Sequence, residues 1–324
     1  VPALSQRLAR LAFAGMLGWL ALLFLPLATA PGPAEEAGHL LLLAPLVLVP
    51  LYLTASVPAS FEPAPRSLDV ASWLLLPGML GAAGSLLVPV GLVAGLLAAP
   101  WLLAAAAVAV WSVRRGLRLW REGALDAAEA ALVLGWATLP GGALWLVLAR
   151  SGAPTDYTGL IVLLTAVHFH YAGCLVLVWA GLLGRTLPAS LRGLHRVLGV
   201  GLAVGFWGVA AGIALIRGPA GGSTVETVAV VVLAASAIGA GGLGLVRAGR
   251  IEDRMAGLMI AVSGGVLILA MGFALWFHLG ARVGADAPDV AQMVSRHGWL
   301  NAFFGLWGAL GWRRLRPRPA AAVR

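Results

Sequence analysis

The amino-acid sequence predicts an all-α fold, a polytopic bundle of about ten transmembrane helices that forms one integral membrane domain over residues 1–324 with both termini cytoplasmic. Three observations predict it. Only 11% of residues are charged while 60% are hydrophobic, and mean hydropathy is +0.94; a soluble domain carries about 25% charged residues. Apolar stretches recur from end to end, each long enough to cross about 30 Å of hydrocarbon. Arginine also alternates between connections, dense in one and sparse in the next, as membrane topology requires.

Taken in order, the first span is Leu8–Ala30, preceded by Arg7 and Arg10. Its apolar run is longer than the core of a signal peptide and has no separate cleavage site, so it reads as retained. The second and third spans are His39–Val57 and Val70–Leu87. The fourth, Val90–Trp111, follows a short, tight connection made by Pro89 and the glycines around Gly78, Gly81 and Gly84. Pro140-Gly141-Gly142 lies inside the fifth span, Ala124–Ala149, and should kink it. The sixth to ninth are Tyr157–Leu183, Leu194–Ile216, Val225–Val246 and Met255–Leu279, and the tenth is His297–Trp312. Small residues such as Gly201, Gly205, Gly208 and Gly212, with Gly239, Gly241 and Gly242, are packing features that bring backbones together. Trp19, Trp101, Trp111, Trp120 and Trp312 read as interfacial anchors.

All 22 basic residues are arginine. With the N-terminus inside, 18 fall in cytoplasmic segments, and only Arg150, Arg217, Arg282 and Arg296 fall outside. The cytoplasmic set runs through Arg66, Arg114, Arg115, Arg118, Arg121, Arg185, Arg192, Arg196, Arg247, Arg250 and Arg254 to the tail Arg313, Arg314, Arg316, Arg318 and Arg324. The net charge of +9 is therefore topogenic, and no nucleic-acid partner is expected. The partners expected are membrane lipids and a lipophilic small molecule. The absence of lysine excludes a Schiff base. The lone Cys174, set in an apolar stretch, excludes an intramolecular disulfide and a cysteine metal cluster.

A polar group inside hydrocarbon is costly, so each ionisable residue within a span is a candidate for function. The sharpest feature is Thr165-Ala166-Val167-His168-Phe169-His170-Tyr171 in the sixth span. On a regular helix His168 and His170 are about 200° apart. One is then expected to face an internal pocket while the other bonds a neighbouring helix; His170 shares its face with Cys174, and His168 lies near Thr165. The second feature is His297-Gly298-Trp299-Leu300-Asn301 at the start of the tenth span, where His297 and Asn301 share a face. His39 and His278 lie at a similar level, which suggests a polar cavity opening outward. His195 sits among Arg192 and Arg196 at the cytoplasmic end and is discounted.

The acidic residues lie near span ends: Asp126 and Glu129 are expected to pair with Arg118 or Arg121, and Asp156, Asp286 and Asp289 fall in outer loops. Without a midplane carboxylate, a proton- or sodium-coupled transporter is disfavoured. Aspartate clusters for a diphosphate, a zinc-protease H-E-x-x-H helix and a phosphate loop are all missing. A bis-histidine haem or a transition-metal site with His168, His170 and His297 as ligands remains open, as does acid–base chemistry.

At these two motifs the sequence resembles the YndJ-like family of bacterial multi-span membrane proteins. The resemblance rests on Thr165-Ala166, His168-Phe169-His170-Tyr171, His297-Gly298, Leu300-Asn301-Ala302 and Phe304-Gly305. It implies a bacterial cytoplasmic-membrane location and a defining polar set of His168, His170, His297 and Asn301, without naming a reaction. The expectation is a histidine-lined intramembrane site that holds a metal or haem, or that uses neutral histidine on a lipid or isoprenoid. In that site His168 or His170 is ligand or base, His297 is the second ligand or base, and Asn301 orients. An uncoupled permease with histidines along its path, and a structural or sensory membrane component, are the alternatives.

Overall fold

The computed structural model describes residues 4–57, 65–215, 224–284 and 286–315. Among these the chain is helical without strands, and ten helices carry the bundle. They are α1 (Leu4–Leu22), α2 (Pro33–Ser56), α3 (Arg66–Leu87), α4 (Leu92–Arg121), α5 (Ala127–Ser151), α6 (Gly159–Gly184), α7 (Ala189–Leu215), α8 (Thr224–Ala248), α9 (Arg254–Gly280) and α10 (290–315). Eight of these, α2 to α9, are long and apolar enough to cross a membrane. The other two are diluted by charge: α1 carries Arg7 and Arg10, and α10 carries Arg296, Arg313 and Arg314. Each sequence-predicted span corresponds to one helix. Arg217, Arg316, Arg318, Arg324 and the predicted end of the seventh span at Ile216 lie outside the described residues.

Consecutive helices pack side by side through α3–α4–α5–α6 and again through α7–α8–α9–α10. Helix α2 touches α1, α3, α6 and α10, while α6 touches α2, α5, α7, α8 and α10. These two therefore sit at the centre, where the two rows meet.

Several expectations shift. The first helix ends at Leu22, eight residues before the predicted Ala30, because the Pro26 and Pro31-Gly32-Pro33 stretch cannot continue it. That stretch is fastened instead: Ala28 donates to Leu86 O, Leu27 N–H donates to Glu35, and Arg150 donates to Ala28 O. Arg150, expected just beyond the fifth span, lies within the helix. It is a buried residue of the last turn of α5, and it also donates to Ser85 O and Val88 O. Gly78 and Gly81 belong to α3 rather than to a turn, and both face α4; a Cβ on Gly78 would come within 3.0 Å of Ala104. Glu129 pairs with Arg185 at 2.8 Å and with Arg115, and Asp126 caps α5 by accepting from Glu129 N–H.

The α7–α8 contact follows the small-residue expectation. Gly201, Gly205, Gly208 and Gly212 form one stripe on α7, and Cβ atoms there would run into Ser236, Leu233, Ala229 and Glu226 of α8. The tryptophans do not follow theirs. Trp19, Trp101, Trp111 and Trp312 are buried, and of the five named only Trp120 is exposed.

Candidate functional site

Three helices contain π-helical stretches: Ala44–Leu48 in α2, Phe169–Leu175 in α6 and Met293–Gly298 in α10. A π turn widens the helix from i→i+4 to i→i+5 bonding; such turns are rare and frequently fall at functional sites. Pro45 gives a local reason in α2, since it cannot donate and its ring crowds the preceding turn. The stretches in α6 and α10 coincide with the two histidine motifs. All three helices pack together at this level: Tyr171 Oη donates to Leu40 O at 2.8 Å, and a Cβ on Gly298 would meet Leu40 Cδ1 at 2.6 Å.

The switch to π geometry begins between the two histidines of α6, and they part company there. His170 is 1% exposed. Its Nδ1–H donates to Ala166 O at 2.8 Å, and its Nε2 accepts from Trp101 Nε1 at 3.0 Å. The Trp101 ring stacks beside it, 5.9 Å between centroids and 17° between planes. Gly142 of α5 lets the imidazole in, since a Cβ there would lie 2.5 Å from Nδ1. Both ring nitrogens are thus committed, and the face shared with Cys174 is packed against α5, where Gly135 meets Cys174 O.

His168, by contrast, is exposed at mid-helix. Its Nδ1–H donates to Leu164 O at 2.8 Å, which leaves Nε2 as an acceptor with no partner among the described residues. The His297 Nδ1–H donates to Ala270 O at 2.8 Å, and its Nε2 accepts from Asn301 Nδ2 at 3.1 Å. Asn301 also donates to His297 O at 2.8 Å, so its side-chain nitrogen is spent and its carbonyl oxygen is not. The structure pairs His297 with Asn301 through these bonds and turns His170 away, toward α4. His297 is not at a helix start; α10 begins two turns earlier, with Asp289 and Gln292 in a capping box.

The other histidines bind helices to one another. His39 Nε2–H donates to Leu22 O, His195 Nε2–H donates to Ala180 O, and His278 lies 3.4 Å from Thr227 Oγ1. His39 also borders a pocket of about 390 Å³ between α1 and α2, lined by Glu35, Glu36, Pro26 and Phe24 among others. Glu36 accepts from Trp299 Nε1 at 2.6 Å, joining this pocket to the α10 motif.

For a metal or haem, the ring nitrogens decide the fit. Of the three candidate ligands His168, His170 and His297, only His168 keeps a nitrogen lone pair without a partner among the described residues. Among the described residues no group of three or more His, Cys, Asp or Glu is placed to hold a metal ion. What the arrangement can do chemically is accept a proton or hydrogen bond at His168 Nε2.

Sequence reasoning missed Trp101 as the partner of His170, because nothing local connects residues 69 apart. It also passed over Glu35 and Glu36. Their position in the first turn of α2, directly before the apolar run, was the available signal.

The fold and these polar contacts define a multi-pass α-helical membrane protein. The family described as YndJ-like protein matches residues 39–305, and the chain belongs to that family. The Bacillus subtilis (strain 168) "Uncharacterized membrane protein YndJ" is 31% identical over 201 residues, covering 61% of this chain and 35% of the relative. The chain thus spans about a third of that relative's length. No solved structure matches it.

Proposed function

We propose that this bacterial membrane protein holds a lipophilic molecule bearing a hydroxyl or similar donor against His168, and that neutral imidazole performs acid–base work on it there. One observation carries the reading: His168 Nε2 is a lone pair exposed within the span and held in one tautomer by the Nδ1–H bond to Leu164 O. A lone pair kept among apolar helices asks for a donor that can enter from hydrocarbon, and a lipid or isoprenoid alcohol has both properties. His297 and Asn301 belong to the same proposed site. Asn301 orients His297 and offers its own carbonyl oxygen as a second acceptor.

The test is organic extraction and mass spectrometry of protein purified in mild detergent, wild type beside His168→Ala. The expected result is a lipophilic compound enriched over bulk lipid in the wild type and reduced about tenfold in the variant, as loss of one buried hydrogen bond allows. Identical extracts from the two proteins would overturn the reading. Absorption spectra and elemental analysis of the same samples separate the cofactor version: a Soret band or a stoichiometric metal lost in the variant would make His168 a ligand instead of a base.

A further inference from the structure

We propose a second site, apart from His168: the pocket between α1 and α2 takes a primary ammonium group, that of an aminophospholipid headgroup.

The carboxylates of the bundle lead to it. Those that are exposed, such as Asp126 and Asp289, need no counter-ion. Asp69, Glu129, Glu226 and Asp253 are half-buried. Each of these lies beside a basic side chain: Arg7, Arg115 with Arg185, His278 at 3.9 Å and Arg314 respectively. Glu35 and Glu36 are half-buried as well, but among the described residues neither is in an ion pair. Where the other four have a basic group, these two border a cavity of about 390 Å³. Taking a carboxylate out of water is costly without a partner, and a cation in the cavity would supply one to both.

The glutamates are held in place for it. Glu35 accepts from Leu27 N–H at 3.1 Å and Glu36 from Trp299 Nε1 at 2.6 Å, each through one oxygen. The second oxygen of each remains for a ligand. His39, which also lines the cavity, directs its Nε2–H to Leu22 O at 3.0 Å. The facing wall, residues 23–25, continues from the C-terminal end of α1, the negative pole of that helix. The N-terminus of α2 offers about half a positive charge, which two carboxylates exceed.

Size and rim select the cation. The volume falls within the range of about 300–1,000 Å³ usual for small organic ligands and is wide for a bare metal ion. A primary ammonium has three N–H donors, enough to serve two carboxylates at once. Phe24 and Leu25 border the cavity and are 87% and 49% exposed, an apolar edge on which acyl chains can lie.

Native mass spectrometry of the intact protein in mild detergent tests this, with phosphatidylethanolamine or phosphatidylglycerol added at equal concentration. The wild type should retain phosphatidylethanolamine several-fold more strongly. Glu35→Gln/Glu36→Gln, which keeps an oxygen acceptor for Leu27 and Trp299, should remove that preference and leave phosphatidylglycerol binding unchanged. Ethanolamine alone should bind far more weakly than the lipid; equal binding would overturn the lipid assignment in favour of a soluble amine. Equal retention of the two lipids by the wild type would overturn the proposal whatever the variant does, and so would an undiminished preference in a folded double variant.

Discussion

Helices α2 and α7 are both apolar, with mean hydropathies of 1.9 and 1.6, yet 94% of the apolar window of α2 is buried inside the bundle and only 22% of that of α7. Helix α6 behaves like α2, at 72%. Apolarity does not separate the centre from the edge, because lipid is as good a solvent for leucine as protein is. The type of cohesion does. The edge pair α7–α8 is held by glycines that let one backbone lie against the next. The centre is held by polar bonds between helices: Tyr171 to Leu40 O, Trp101 to His170, and Thr138 to Gly173 O at 2.7 Å. The π-helical segments fall in α2, α6 and α10, which meet there.

The strongest way to break this contrast is at the central pin. His170→Ala removes a buried ring and strands the Trp101 N–H, and should cost about 4 kcal/mol, read as a lower denaturation midpoint in detergent. His168→Ala removes an exposed ring and should cost under about 1 kcal/mol. Adding Trp101→Phe to His170→Ala should recover part of the loss, because the stranded donor leaves with it. Equal costs for the two histidines would show that their difference in burial carries no energy.

A smaller effect compares glycines across the two regions. Gly142→Ala pushes a methyl to 2.5 Å from the His170 ring, which two hydrogen bonds prevent from moving away, and should cost about 1–3 kcal/mol. At Gly199 on α7 a Cβ meets nothing within 4 Å. Alanine there should be neutral or stabilising by up to about 1 kcal/mol, through helix propensity alone. Thermal midpoints of the two variants, measured together, distinguish central from edge packing.

What was legible in the sequence follows the same division. Ten helices and the α7–α8 glycine stripe could be read because hydropathy and i, i+4 spacing are local. The joint face of His297 and Asn301 is local too, and the hydrogen bond between them follows from it. The divergence of His168 and His170 was readable from helical rotation, but which of them faced inward was not. That depended on Gly142, Trp101 and the π segment, two of them on other helices and the third a departure from regular pitch. The tryptophans misled for the same reason: an indole suits an interface or an interior equally, and only a partner such as His170 decides between them.

The smallest expected effect lies where the edge row is tied to α10 at the arginine-rich end. Asp253, in the turn between α8 and α9, accepts from Arg314 Nε at 2.7 Å and from the N–H groups of Ala256 and Met255 at 3.1 Å. The Arg314 hydrogen bond, followed by those backbone amides, holds its carboxyl below the ordinary value of 3.8. A depressed value in the folded state means the tie contributes above the unfolded value and is lost as pH falls through the lower, folded one. Any loss therefore belongs below about pH 4, with nothing changing near neutrality. The pair is partly exposed, so its contribution to stability is small and screened by salt. Titration of the Asp253 carboxyl carbon by NMR should give a midpoint below that of an ordinary aspartate, and Arg314→Ala should raise it. If the midpoint stays low in that variant, the α9 amides alone stabilise the carboxylate and the link to α10 contributes nothing. If it rises, this charge is one of the ties joining the glycine-packed edge to the π-helical centre.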